Sequence, residues 1–115
     1  MARRRKAHER IKTKPEEANY PTERHLELFN AILRLEGLNE ATRFFRDLLT
    51  LGEIEEFANR WQMAKLLHQG HSYLEVAEKT HSSTTTVARV ARWLFEGKDG
   101  YIAILRRLEK QKFTG

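Results

Sequence analysis

The chain has 115 residues, which is enough for one domain, and it contains no cysteine. Disulfide frameworks and thiolate zinc sites are therefore excluded, and the composition fits a reducing, cytoplasmic setting. No apolar run approaches the roughly 18 residues of a membrane span, so we expect no membrane-embedded segment. The net charge of +5 arises from 21 Lys and Arg against 16 Asp and Glu.

The positive charge is concentrated at the N-terminus. Residues 1–14 hold seven Lys or Arg and one acid, whereas the rest of the chain holds 14 basic and 15 acidic side chains. Such a segment is expected to be disordered alone and to attract polyanions. We interpret residues 1–20 as a basic arm that contacts nucleic acid, with Arg3, Arg4, Arg5 and Lys6 as its candidate contacts. An anionic membrane surface and a solubilising role are the alternatives.

Apolar residues follow helical spacing through most of the chain after the arm. The first helix is predicted to have Pro21 in its first turn and to stop at Gly37. Asn39 is the predicted N-cap of the second helix, and Thr50 of the third. No segment has a convincing strand pattern. The sequence predicts one all-α domain of six helices over residues 21–115.

The first predicted helix is apolar over an arc wider than one neighbouring helix would cover. Its two stripes consist of Leu26, Phe29 and Leu33 and, beside them, Leu28, Ile32 and Leu35. Short helices with faces this broad are not easily covered within one small chain. We therefore expect a homodimer in which the first helices interleave.

Residues 72–95 have the pattern of a helix-turn-helix. Val76 and Ala77 give the first of its helices an apolar residue and a small one, which allow a close helix crossing. Val87 and Val90 supply the buried positions of the second helix. The segment "THSS" lies between them as the tight turn.

His81 takes the turn position that glycine often occupies, and histidine is among the residues that tolerate positive φ there. Ser83 is the predicted N-cap of the second helix. The residues predicted to face solvent or a partner are Thr84, Thr85, Ala88, Arg89 and Arg92. No acid occurs between Lys79 and Glu96, so nothing on this stretch repels phosphate.

This residue set suits the major groove of double-stranded DNA. Side chains near the start of such a helix reach base edges, and the helix N-terminus attracts phosphate. Threonine bonds bases or phosphates, and arginine binds guanine through two hydrogen bonds. We include Ser83 among the candidate contacts. The alternative is an ordinary helical hairpin with a threonine-rich surface.

Residues 48–97, from "LLTLGEIEEF" to "ARWLFEG", resemble the Trp repressor superfamily, most closely its YerC/YecD-type members. The agreement covers about residues 26–101, and "STTTVARV" stands where the family has "S.ATISRV"-like spacing. The resemblance implies an all-helical, intertwined homodimer with two DNA-reading heads. It also implies a role in transcriptional repression.

The resemblance also implies a ligand site. Two arginines and a threonine surround the tryptophan corepressor of Trp repressor, and these positions are Arg60, Arg89 and Thr50 here. The glycine that makes room beside the indole is Val90 here, and a nearby serine is Trp93. Both changes add volume where an indole ring would sit. They argue against tryptophan as the ligand and leave another small-molecule corepressor open.

Two of these positions also have simpler interpretations. Arg60 has Glu56 one turn earlier on the same predicted helix, a spacing that favours an ion pair. Arg89 is equally suited to a DNA phosphate, with no small molecule involved.

We predict that the chain is not an enzyme and uses no cofactor or metal. His68 and His71 are three residues apart, but no acid or cysteine at a suitable spacing completes a metal site. No nucleophile–base pair or Gly-rich phosphate loop is evident. RNA is less favoured than DNA, because the predicted reading face has no stacking aromatic before Trp93.

The sequence thus predicts a sequence-specific transcription regulator, a repressor, that binds a two-fold-symmetric operator as a homodimer. Two alternatives belong to other functional classes. One is a non-specific nucleic-acid-binding protein that acts mainly through its arm, and the other is a helical protein-interaction module. Deleting residues 1–14 would abolish nucleic-acid binding in the first alternative and only weaken it in the repressor.

Overall fold

The computed structural model describes residues 18–114, with side chains described up to residue 111. Its helices, in chain order, are α1 (Glu23–Ile32), α2 (Leu38–Leu48), α3 (Leu51–His68), α4 (Tyr73–Thr80), α5 (Thr84–Glu96) and α6 (Gly100–Thr114). No strand occurs within this described range. The prediction of an all-α chain with six helices is therefore confirmed there. The arm residues Arg3, Arg4, Arg5 and Lys6 lie outside the described range.

The described residues divide into two compact units between Glu56 and Phe57. The N-terminal unit contains α1, α2 and the first turns of α3. The C-terminal unit contains the rest of α3 together with α4, α5 and α6.

Two predicted boundaries in the N-terminal unit are wrong. Gly37 does not end α1, which stops at Ile32; with φ of 97° it is instead the residue before α2. Asn39 is not an N-cap, because it lies inside α2 and its Oδ1 accepts a hydrogen bond from Arg43 Nε at 3.2 Å. A glycine with positive φ suits the approach to a helix as well as its end.

The start of α1 is fixed by Thr22 rather than by Pro21. The Thr22 hydroxyl accepts from the His25 amide at 3.2 Å, and His25 Nδ1 accepts from the Thr22 amide at 3.0 Å. This reciprocal pair satisfies two amide groups that have no partner within the helix. Pro21 thus lies just before the cap.

Both α1 and α2 lack a buried side chain, although each carries large apolar residues. Leu33, the residue that directly follows α1, is 74% exposed, and Leu38 at the start of α2 is 84% exposed. Each helix therefore presents apolar surface that this chain alone leaves in water.

The N-cap predicted for α3 is confirmed. The Thr50 hydroxyl accepts from the Glu53 amide at 3.1 Å, and the Glu53 carboxylate accepts from the Thr50 amide at 2.9 Å. At the other end, Gly70 has φ of 99°. Its amide donates to Leu67 O and the next amide donates to Leu66 O, a pairing that closes the last helical turn.

The hydrophobic core of the described residues belongs to the C-terminal unit. Its members are Met63, Ala64, Leu66, Leu67, Val76, Ala77, Val87, Val90, Ala91, Leu94 and Leu105. Trp61 packs against this core and stacks on Tyr101, with ring centroids 6.2 Å apart. Burial raises the pKa of Tyr101. All four helices of this unit contribute, so the core holds α4 and α5 in a fixed arrangement with the second half of α3.

The turn between α4 and α5 uses a left-handed residue, as the sequence predicts. His81 has φ of 53° and ψ of 46°. The amide of Ser82 donates to Ala77 O at 2.9 Å, and the His81 amide donates to Glu78 O at 3.4 Å. These bonds satisfy carbonyls at the end of α4.

Replacing His81 by glycine should stabilise the protein. A left-handed residue with a Cβ costs about 1–2 kcal/mol, and the greater flexibility of glycine in the unfolded chain offsets part of that relief. Since the His81 side chain is exposed, its removal sacrifices little packing. We expect His81→Gly to raise the free energy of unfolding by about 0.5 kcal/mol in urea titrations.

Lys79→Gly is the matched control, because Lys79 is exposed but lies within α4. It should lower the free energy of unfolding by about 1 kcal/mol. If His81→Gly were as destabilising as this control, the imidazole rather than the backbone would be stabilising the turn.

The connection between α5 and α6 requires glycine at position 97. A Cβ at Gly97, which is buried, would meet the backbone carbonyl of Trp93 and would lie 2.8 Å from Cε3 of its indole. Gly97→Ala therefore forces the connection or the indole to shift. We expect a loss of about 1–3 kcal/mol, measured by thermal unfolding at fixed protein concentration.

Gly100→Ala is the control for this substitution, since a Cβ there meets nothing within 4 Å. Its unfolding temperature should stay the same or rise slightly, as alanine favours helix over glycine. Equal losses from both variants would contradict the steric explanation.

Candidate nucleic-acid interface

The two helices of the predicted helix-turn-helix pack through the residues expected to join them. Val76 and Val87 are both 0% exposed, Ala77 is 6% exposed and Val90 is 5% exposed. The small side chain of Ala77 permits the close crossing, and the valines fill the space beside it. The orientation of α5 against α4 is thus fixed by packing.

The predicted N-cap of α5 is confirmed as well. Ser83 Oγ accepts from the Thr86 amide at 3.2 Å and lies 3.1 Å from the Thr86 hydroxyl. The hydroxyl of Thr86 is therefore engaged at the helix start. The hydroxyls of Thr84 and Thr85 lie on exposed side chains.

The outward face of α5 carries the predicted contact residues. All of them are exposed: Ser83, Thr84, Thr85, Ala88, Arg89 and Arg92. The opposite face supplies Val87, Val90, Ala91 and Leu94 to the core. Burial of one face leaves the other outward at helical spacing.

The charge of this face is uniformly favourable for an anion. The first turn of α5 holds no acid, and its free amide groups carry partial positive charge. Arg89 and Arg92 add full positive charges further along the helix. We call the exposed residues Ser83, Thr84, Thr85, Ala88, Arg89 and Arg92 the reading face.

A residue that the sequence did not single out ties α3 to the turn behind the reading face. Asn59 Nδ2 donates to Thr80 O at 3.3 Å and to Ser82 Oγ at 2.9 Å. Ser82 Oγ in turn donates to Thr80 O at 3.1 Å. The bonded residues are 21 and 23 positions apart. The polarity of Asn59 on an otherwise largely apolar stretch of α3 is a weak signal, since Arg60 follows it directly.

The residues of the predicted ligand site belong to different units. Thr50 lies in the N-terminal unit, where it caps α3, whereas Arg60 and Arg89 lie in the C-terminal unit. The Arg60 guanidinium lies 5.6 Å from the ring centroid of Phe57, a cation–π contact. Use of the three residues by one ligand stays a prediction.

Val90 and Trp93, where the resemblance implies larger side chains, differ in their surroundings. Val90 is part of the core, whereas the Trp93 side chain is 41% exposed and lies close to the position of Gly97. The Val90 side chain therefore fills part of the interior of the C-terminal unit.

The two closely spaced histidines have different carboxylate partners. His68 Nε2 lies 3.1 Å from Glu109 Oε2 on α6, and His71 Nδ1 lies 3.6 Å from Glu75 Oε1 on α4. The Ser72 amide hydrogen bond lowers the pKa of Glu75. Within the described part of the chain, no group of three or more His, Cys, Asp or Glu side chains could hold a metal ion. That part also has no helix long and apolar enough to cross a membrane.

Comparisons with known proteins agree with this architecture. Residues 23–109 match the family model of the Trp repressor protein. The uncharacterized protein YerC of Bacillus subtilis is 42% identical over 84 residues, which cover 73% of this chain and 81% of YerC.

Two solved structures are similar in both fold and sequence. A TrpR-like protein from Eubacterium eligens is 44% identical, with a TM-score of 0.74 over 77% of this chain and 92% of its own. A candidate Trp repressor from Staphylococcus aureus is 38% identical, with a TM-score of 0.76 over 84% of this chain and 96% of its own. The helix-turn-helix, the match over residues 23–109 and the identity to YerC together show that this chain belongs to the Trp repressor family, as a YerC-type member.

Proposed function

We propose that this protein is a sequence-specific transcription repressor that binds a two-fold-symmetric operator as a homodimer. Its family consists of DNA-binding transcription regulators, not enzymes. The observation that carries the proposal is the reading face, whose residues are all exposed while the opposite side of α5 is buried.

In this proposal the start of α5 enters the major groove. Thr84 and Thr85 lie in its first turn, where side chains of a recognition helix reach base edges. Their hydroxyls bond bases or phosphates, and their methyl groups suit the thymine methyl. Arg89 and Arg92 lie one and two turns further on, where they bind guanine or hold phosphate.

The exposed apolar surface of the N-terminal unit supports the homodimer. Large apolar side chains exposed on α1, at its C-cap and on α2 are Leu26, Leu28, Phe29, Leu33, Leu38 and Leu48. Burying one such side chain fully contributes about 1.5–3 kcal/mol. A second copy offers a surface of the same kind, and two copies related by a two-fold axis present two reading faces to a symmetric site.

The basic arm adds to DNA binding in this proposal. Residues 1–14 would add phosphate contacts, or minor-groove contacts beside the site, through their seven basic side chains. A regulator of this kind acts in the cytoplasm.

A small-molecule corepressor other than tryptophan, held by Thr50, Arg60 and Arg89, is compatible with repression but not required by the reading face.

The test is selection of binding sites from a random DNA pool at about 0.15 M salt, without added ligand. We expect an enriched two-fold-symmetric site with half-sites about 34–36 Å apart, one helical turn of DNA. Enrichment only after tryptophan is added would mean that this corepressor fits despite Val90 and Trp93. No enrichment in either case would overturn sequence-specific reading.

An acid on the reading face should block DNA binding. Ala88 is exposed in the middle of this face, and Ala88→Glu brings a carboxylate towards the phosphates. We expect at least about tenfold weaker binding to the selected site, because like charges in a contact are costly. Ala103→Glu is the control, since Ala103 is exposed on α6 and the charge change is identical. Its affinity should stay within about twofold of the parent, and equal losses would show that net charge alone matters.

Removing the arm should weaken binding without changing the preferred sequence. Each phosphate contact that is removed reduces the slope of log affinity against log salt by about 0.9. We expect deletion of residues 1–14 to flatten this slope and to leave the selected site unchanged. Replacing Arg3, Arg4, Arg5 and Lys6 by glutamine should flatten the slope in part, without shortening the chain. Complete loss of binding would instead favour the alternative in which the arm is the main nucleic-acid contact.

A further inference from the structure

We infer that Asn59 is a positioning residue for DNA reading: its carboxamide holds the α4–α5 turn to α3 and so sets where the start of α5 meets base edges. The inference deepens the proposed function and rests on it. Asn59 lies on α3, outside the reading face, and acts through Thr80 and Ser82.

The geometry uses the hydrogen-bonding capacity of the carboxamide nitrogen fully. Nδ2 has two hydrogens, and the structure gives it two acceptors, Thr80 O at 3.3 Å and Ser82 Oγ at 2.9 Å. Ser82 Oγ also donates to Thr80 O at 3.1 Å, which closes a three-membered network. Asn59 and Ser82 are only partly exposed, so these bonds are shielded from full competition with water.

The other bonds described for the turn run back to α4. The Ser82 amide donates to Ala77 O, the His81 amide donates to Glu78 O, and the buried Thr80 hydroxyl donates to Val76 O at 2.7 Å. They shape the turn but do not relate it to α3. Asn59 supplies that polar link, since it lies in the half of α3 that shares a core with α4 and α5.

The link lies close to the residues that would read DNA. Ser82 precedes the N-cap Ser83 directly, and α5 begins at Thr84. Contacts to base edges need placement within about 0.5 Å, whereas attraction to phosphates falls off slowly with distance. A loosened turn should therefore reduce binding to the specific site more than binding to random DNA.

The experiment compares full-length Asn59→Ala with the parent and with Gln62→Ala, in which an exposed amide on the same helix is removed. The measured quantity is the ratio of dissociation constants for random and selected DNA. We expect this ratio to fall about tenfold for Asn59→Ala and to stay within about twofold for Gln62→Ala. The salt dependence of binding to random DNA should not change, since Asn59 contacts no phosphate in this scheme.

A double variant separates positioning from direct contact. If Asn59 acts partly through Ser82, the loss in this ratio for Asn59→Ala combined with Ser82→Ala should be clearly smaller than the sum of the two single losses. Additive losses would mean that the two residues act independently, and would overturn the inference. If Asn59→Ala does not fold, Asn59→Leu serves in its place, because it roughly keeps the volume and removes the donor without adding a charge.

The outcomes also distinguish the inference from the proposed function. A parent protein that selects a site, with an Asn59→Ala ratio unchanged, overturns the inference and leaves the repressor intact. A parent that selects no site overturns the repressor, and the inference with it. A tenfold loss that is non-additive with Ser82→Ala, at unchanged salt dependence, supports both.

Discussion

The burial of one face of α5 is the interaction on which the proposed function of the molecule depends. Val87, Val90, Ala91 and Leu94 pack into the core of the C-terminal unit, so α5 has little freedom to rotate about its axis. The Ser/Thr and arginine side chains are thereby fixed outward. A helix with the same polar residues but no buried face could not present them in one direction. The chemistry of the reading face therefore follows from apolar packing on the other side.

The two units differ in how they are stabilised. The C-terminal unit has its own core from four helices, whereas α1 and α2 of the N-terminal unit bury no side chain. Capping at Thr22 contributes on the order of 1 kcal/mol, which does not make a short isolated helix stable in water. Under the proposed function, the second copy supplies the missing apolar partner. Formation of the dimer and order of the N-terminal unit would then be one equilibrium, dependent on protein concentration.

Most caps and turns that depend on nearby residues could be predicted from the sequence, whereas polar contacts between distant residues could not. The caps at Thr50 and Ser83 and the left-handed His81 are set by neighbours within four positions, and the structure confirms all three. Gly37 shows the limit of local reasoning. A glycine with positive φ marks an interruption between two helices, but it does not show whether it ends the first helix or precedes the second. Asn59 with Ser82 and His68 with Glu109 are 23 and 41 residues apart. No local pattern relates such residues; they meet because the helices pack.

The same packing bears on ligand control. In the resemblance to Trp repressor, a glycine makes room beside the corepressor, and here Val90 occupies that position as a 5% exposed core residue. Its methyl groups belong to the contacts that hold α5 in place. Asn59 adds a polar link at the start of the same helix. Valine packing and the Asn59 hydrogen bonds already hold the helix-turn-helix in place, so no indole is needed to order it. The proposed repressor should therefore bind DNA without tryptophan.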